Sequence, residues 1–160
     1  MSSGFWITWC NLPEKGRDEY LSWMHGTYIP KVLARPGMLS AAHYESEATA
    51  PMPRAGRLKS TADPTVPMGD RYILIVGGKS PHVFVDPTPA EFHATLSDQD
   101  RKMLAMRIGA SSNIMMIQGQ VYGPEGKNRA NDMDFSPAIQ IGSFNAGSYQ
   151  DEDELAAWYA

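Results

Sequence analysis

Residues 23–45, WMHGTYIPKVLARPGMLSAAHYE, decide the fold because one unbroken stretch holds the end of a helix, a proline turn and a whole strand. Tyr20, Trp23, Met24 and Tyr28 recur at helical spacing, and Glu14, Asp18 and Glu19 ahead of them suit the positive end of a helix. Pro30 biases Ile29 away from helical dihedrals, yet fits the first turn of a short helix, PKVLA, which Pro36 and Gly37 end. The spacing therefore predicts a helix broken near Gly26 to Ile29. Met38 to Glu45 follows directly as a strand.

Working outward, Phe5 to Leu12 (FWITWCNL) is aromatic and β-branched and closes at Pro13, so it reads as a first, mostly buried strand. Arg71 to Val76 (RYILIV) is the clearest strand of the chain. The gap before it, residues 48–69, contains Pro51, Pro53, Pro64 and Pro67 and reads as a long loop, either a lid or an excursion. Beyond Pro81, HVFVDPTP reads as a short edge strand and AEFHATL as a turn of helix. Ser97 caps a second helix, SDQDRKMLAMRIGA, whose Met103, Leu104, Met106, Arg107 and Ile108 place apolar atoms largely on one side. Asn113 to Tyr122 is then a strand that breaks at Gly123 and Pro124. The order is βαββαβ, the ferredoxin-like split unit. It is an α+β fold with two helices on one face of an antiparallel sheet and the other face left to be covered.

The tail repeats the beginning. After a polar linker come a strand over Ala138 to Phe144, an acidic DEDE cap and the helical start LAAWYA. Setting Trp158 over Trp23 also sets Glu154 over Glu19, Asp153 over Asp18 and Phe144 over Trp9. The expected organisation is a ferredoxin-like domain over residues 1–125 and, over 126–160, the start of a second unit, so that the chain is either a truncated form or one to which a partner subunit supplies what is missing.

Composition bounds what such a domain can do. The 160 residues are 42% hydrophobic and 20% charged, which suits one folded core. A net charge of −4, a pI near 5.5 and 14 scattered Lys and Arg residues argue against nucleic acid as a partner. The single Cys10 excludes an internal disulfide and reads as a buried structural thiol. No signal peptide is visible in MSSGFWITWCNLPEKG, and the run Tyr72 to Val76 is far too short to span a bilayer, so the expectation is a cytoplasmic protein with no membrane partner.

Trp23, Pro30, Leu33, Pro36, Gly37, Leu39, Ser40, Ala41, Tyr44 and Glu45 resemble a signature of dimeric α/β-barrel proteins, including the EthD-like group. The Glu-His pair of that signature is replaced here by Thr27 and Tyr28, and His25 stands about one turn earlier. The resemblance implies a dimeric barrel around a small-molecule pocket. Its families include cofactor-free monooxygenases, cyclases, lactone isomerases, haem enzymes and proteins without known activity, so the reaction has to come from the site.

The histidines are His25, His43, His82 and His93, and none forms a metal-ligand spacing, so no metal is expected. His25 and Tyr28, three apart, share a helix face and are placed to relay a proton, or else to cap backbone groups at a helix end. His43 shares a strand face with Ala41 and Leu39, and Tyr44 the other with Ala42 and Ser40. Trp6, Thr8 and Cys10 alternate with Phe5, Ile7 and Trp9, so a tryptophan is available as an aromatic wall. VGGKS at 76–80 follows a strand but has Ile73 where a phosphate loop needs glycine. Met115 and Met116, between Ile114 and Ile117, read as core filling.

The leading expectation is an enzyme without an organic cofactor that moves a proton on an apolar or aromatic compound to isomerise, cyclise or oxygenate it. His25, Tyr28 and His43 would carry the chemistry, and Trp6, Trp9, Tyr44 and Tyr72 would bind substrate. The alternatives are a non-catalytic ligand-binding or assembly protein and, more weakly, a haem protein, for which no axial ligand stands out. A lone ferredoxin-like sheet leaves one face bare, so a homodimer is expected.

Overall fold

A computed structural model describes residues 3–46, 69, 71–119, 135–141 and 147–159. The elements are β1 (Gly4–Asn11), α1 (Arg17–Trp23), a π turn (Met24–Tyr28), α2 (Ile29–Leu33), β2 (Met38–Glu45), β3 (Tyr72–Gly78), a 3-10 turn (Pro81–Phe84), α3 (Pro89–Ala94), α4 (Asp98–Leu104), β4 (Ile108–Met116) and α5 (Tyr149–Tyr159). The four strands form one antiparallel sheet in the order β2-β3-β1-β4. That order, with helices after β1 and β3, is the ferredoxin-like arrangement expected from the sequence.

Side chains of alternate residues point to opposite faces of the sheet. Trp6, Thr8 and Cys10 of β1 stand opposite Val76, Leu74 and Tyr72 of β3, and this face meets the helices. With Tyr20, Met24, Tyr28, Val32, Phe84, Phe92, Leu96 and Met103 it forms the core. Cys10 is buried there as a free thiol. The outer face carries Phe5, Ile7 and Trp9 opposite Gly77, Ile75 and Ile73. Residues 135–141 run onto this outer face: Phe135 packs edge-on against Phe5 at 6.5 Å, and the Tyr44 hydroxyl donates to the Ser136 carbonyl at 2.7 Å.

Several local expectations are corrected. The helix is not broken at Gly26–Ile29 but continues through the π turn. Pro30 has no N–H and its ring would strike the carbonyl four residues back, and widening the turn relieves both problems. The Ile29 N–H accordingly reaches back five residues to the Met24 carbonyl. The stretch after Pro81 is a 3-10 turn rather than an edge strand. It presses on the strand ends so closely that a Cβ on Gly4 would stand 2.3 Å from the Pro81 nitrogen. The second helix stops at Leu104, and the last strand of the unit starts at Ile108, five residues before its expected start at Asn113. Met115 and Met116 are not core residues: they are 39% and 60% exposed on the edge strand β4. Ala138–Ile141 carry no regular secondary structure where a strand was expected, and residues 142–144 lie outside the described residues, as does the 48–68 part of the proline-rich loop.

The helix layer is pinned by one buried acid. Asp100 is 3% exposed and accepts from the Lys31 ammonium at 2.5 Å, the Trp23 indole N–H at 2.8 Å and the Ser97 hydroxyl at 2.7 Å. Lys31 and the other donors hold its carboxyl well below the usual carboxylate range. It thereby ties α1 and α2 to the first turn of α4, where Ser97 and Asp100 form a capping box.

Candidate active site

The helix-facing side of the sheet gathers a hydrogen-bonded tyrosine–histidine pair that no sequence spacing announces. Tyr28, fully buried on the π turn, has its hydroxyl 2.7 Å from Nε2 of His93 on α3. His93 is placed by a well-capped helix start, where Thr88 and Glu91 form a reciprocal capping box ahead of Pro89. The Trp6 indole lies beside His93 with ring centroids 5.7 Å apart. Its Nε1–H is buried without a partner among the described residues.

Arg107, at the junction of α4 and β4, closes the other side. Its Nε donates to the Tyr20 hydroxyl at 2.7 Å, and its guanidinium carbon sits 5.2 Å from the centre of the Tyr28 ring. Its Nη2 is also buried without a partner. Two buried N–H donors without partners thus stand near the pair, that of Trp6 on the ring beside His93 and that of Arg107 on the guanidinium over the Tyr28 ring. Such donors are costly when unsatisfied, which makes them the natural partners of an electronegative ligand atom or an ordered water.

Electrostatics keep the pair neutral. Burial, then the charges of Arg107 and Arg35, lower the His93 pKa to about 4. Burial raises Tyr28 above the ordinary phenol value and Tyr20 to about 12. Burial presses against the Arg107 charge, but the phenols of Tyr20 and Tyr28 more than offset it, and its pKa lies above the ordinary guanidinium value.

A second pair stands at the sheet edge. His25 Nε2 is 3.0 Å from His43 Nδ1, and His43 stacks on Tyr72 with centroids 5.7 Å apart. The Tyr72 hydroxyl donates to Glu45, which Arg71 also grips at 2.8 and 3.0 Å. Burial, then the charges of His25 and Arg107, lower the His43 pKa to about 4.

The residues singled out in the sequence are therefore divided. Trp6, Tyr28, His43 and Tyr72 share the helix-facing side. Trp9 and Tyr44 lie on the outer face, where an open concavity of about 640 Å³ is lined by Leu39 to Tyr44, Phe135 and Ser136. His25 and Tyr28 do not act as neighbours on one helix face: across the π turn His25 is exposed and bonds His43, whereas Tyr28 is buried and bonds His93. His93 and Arg107 were not selected. The one available signal was a cation on the apolar side of the second helix.

Both shifted histidines make stability depend on pH. Each binds a proton in the unfolded chain near pH 6.5 but in the folded chain only near pH 4. The unfolded state therefore gains protons first as the solution is acidified. Thermal stability is expected to be at its plateau above about pH 6.5 and to fall progressively toward pH 4, with a shallower slope in His43→Gln. Melting temperatures across that range check this.

The chain is thus a ferredoxin-like α+β protein with a part-buried, hydrogen-bonded tyrosine–histidine pair on the helix side of its sheet. No family model matches it, and no curated protein does. Among solved structures, the monooxygenase from the gene ActVA-Orf6 of Streptomyces coelicolor, crystallised with nanaomycin D, is 11% identical, with a TM-score of 0.46 over 76% of this chain and 93% of that one. Among the described residues no group of three or more His, Cys, Asp and Glu is placed to hold a metal ion, and no helix is long and apolar enough to cross a membrane.

Proposed function

We propose that this chain is a small-molecule enzyme that performs acid–base chemistry, with no organic cofactor, on an apolar ring-bearing compound whose oxygen gains negative charge during the reaction. The observation that carries this reading is the pair of unspent donors, Trp6 Nε1 and Arg107 Nη2, carried by a ring beside His93 and a guanidinium over Tyr28. Donors fixed in advance around a developing oxyanion are the usual largest source of stabilisation in such reactions. His93 takes the proton through the Tyr28 hydroxyl bonded to its Nε2: burial, then the charges of Arg107 and Arg35, keep the imidazole neutral beforehand, so it is able to accept one. An anionic oxygen formed near Arg107 cancels that repulsion, and the proton then stays on the imidazole. The rings of Trp6, Tyr28 and Phe92 stand around His93 with centroids 5.7–5.8 Å away, an aromatic neighbourhood that suits a ring-bearing compound. Isomerisation, cyclisation and attack on oxygen all begin from such an anion.

The same reading includes a homodimer. Its support is the half-buried Phe5, Ile7 and Ile73 on the outer sheet face and the exposed Ile114, Met115 and Met116 on edge strand β4.

The probe 2-naphthol tests the reading against its methyl ether, which has the same ring but cannot ionise. Bound 2-naphthol is expected to ionise about one pH unit or more below its value in water and to bind roughly tenfold tighter than the ether. Absorbance of the naphtholate reads both quantities. Equal affinity and an unchanged ionisation midpoint would remove the oxyanion reading and favour a purely apolar binding protein.

A further inference from the structure

The His25–His43 pair lies at the exposed edge of the helix layer, and nothing in the chemistry assigned to Tyr28 and His93 uses it. We propose that these two histidines form an open binding site for a divalent transition-metal ion of the copper or nickel class, with solvent in the remaining positions.

The geometry selects both the ligand atoms and the class of ion. Imidazole nitrogen is the commonest protein ligand for such metals. With metal–nitrogen bonds of about 2.0–2.1 Å, the 3.0 Å separation of His25 Nε2 and His43 Nδ1 subtends roughly 94° at an ion seated between them. That is close to the right angle of a tetragonal site, as Cu(II) and Ni(II) prefer, whereas tetrahedral zinc would spread the same two atoms to about 3.3–3.4 Å. The rings meet at 65° rather than stacked, and His25, being exposed, has room to turn its Nε2 toward an ion beside His43 Nδ1.

The surroundings favour an ion over a mere hydrogen bond. His43 is held in place by its stack on Tyr72, which is fixed through Glu45 to Arg71, so one ligand is already oriented. His25 is exposed, which gives the ion an entry path from solvent. When an ion displaces the hydrogen bond, the ring that donates in it moves its proton to its other nitrogen, so both facing nitrogens offer lone pairs and no net proton is lost by the neutral pair. The two ligands sit on different elements, the π turn and β2, so an ion joins the helix layer to the sheet edge and stabilises the folded chain.

Cu(II) titrated into the full chain, without an affinity tag, tests the proposal by calorimetry and electron paramagnetic resonance. The wild type is expected to bind one ion saturably, with a tetragonal spectrum that carries coupling to two imidazole nitrogens and with a higher melting temperature. His25→Ala, an exposed change that leaves the core intact, is expected to weaken binding by about tenfold or more and to lose the two-nitrogen pattern. His82→Ala is the control and should bind as the wild type does. Binding unchanged in His25→Ala, a spectrum without imidazole coupling, or no saturable uptake at all would overturn the site and leave His25 and His43 as a hydrogen-bonded pair.

Discussion

Replacing His93 by alanine should lower turnover of an acidic ring-bearing substrate by about 10²–10⁴-fold, the usual contribution of a positioned general base, while 2-naphthol still binds. The expectation follows from the 2.7 Å contact between Nε2 and the Tyr28 hydroxyl. Among the described residues His93 is the imidazole in hydrogen-bond contact with a fully buried phenol, and burial, then the charges of Arg107 and Arg35, keep it neutral until a negative oxygen forms. Tyr28→Phe keeps the ring packing and removes only the hydroxyl, so it should lose turnover in the same direction without a comparable loss of stability. The pH profile gives a sharper check. A base with a pKa of about 4 is deprotonated through pH 6.5, so kcat/KM should stay flat there and fall only as the pH drops through about 4. An acid limb near the ordinary histidine value would point to a different, exposed base.

Arg107→Met should cost about 10²–10³-fold in kcat, the effect of losing an oxyanion donor, and should abolish the preference for 2-naphthol over its ether. Methionine retains much of the aliphatic packing, so the change removes chiefly the charge and the donors. It also leaves the Tyr20 hydroxyl without its 2.7 Å donor, a loss of about 1–3 kcal/mol that unfolding measurements would show separately from the kinetics. Arg107→Lys is expected to restore little. One ammonium cannot bond Tyr20 along one direction and offer a second fixed donor over Tyr28, whereas the planar guanidinium does both.

The fold was legible because its signals are local. The acids before Tyr20, the Pro36–Gly37 turn into Met38–Glu45 and the β-branched run at 71–76 each carry their own cause, and together they fix the βαββαβ order. The site was legible only on the sheet side. Alternation placed Trp6 with Cys10 and His43 with Ala41 correctly, but which face meets the helices depends on the assembled core, so Trp9 and Tyr44 were grouped with them although they lie opposite. The π turn defeated the three-residue spacing of His25 and Tyr28, since Pro30 forces a wider turn that a regular helical period does not anticipate. His93 and Arg107 reach Tyr28 from 65 and 79 positions away, and apart from the cation on the apolar side of the second helix nothing in their own segments points to it. A contact of that range is a property of packing rather than of any motif.

The claim on which the rest depends is that ligand enters the helix side of the sheet, beside Trp6, and not the open concavity on the outer face. The indole N–H resonances of Trp6 and Trp9, assigned with single tryptophan-to-phenylalanine variants, report the two faces separately. Adding 2-naphthol should move the Trp6 indole signal downfield as its unspent donor finds an oxygen, and should leave Trp9 in place. Movement of Trp9 with a stationary Trp6 would contradict the account and put the site on the face lined by Tyr44 and Phe135.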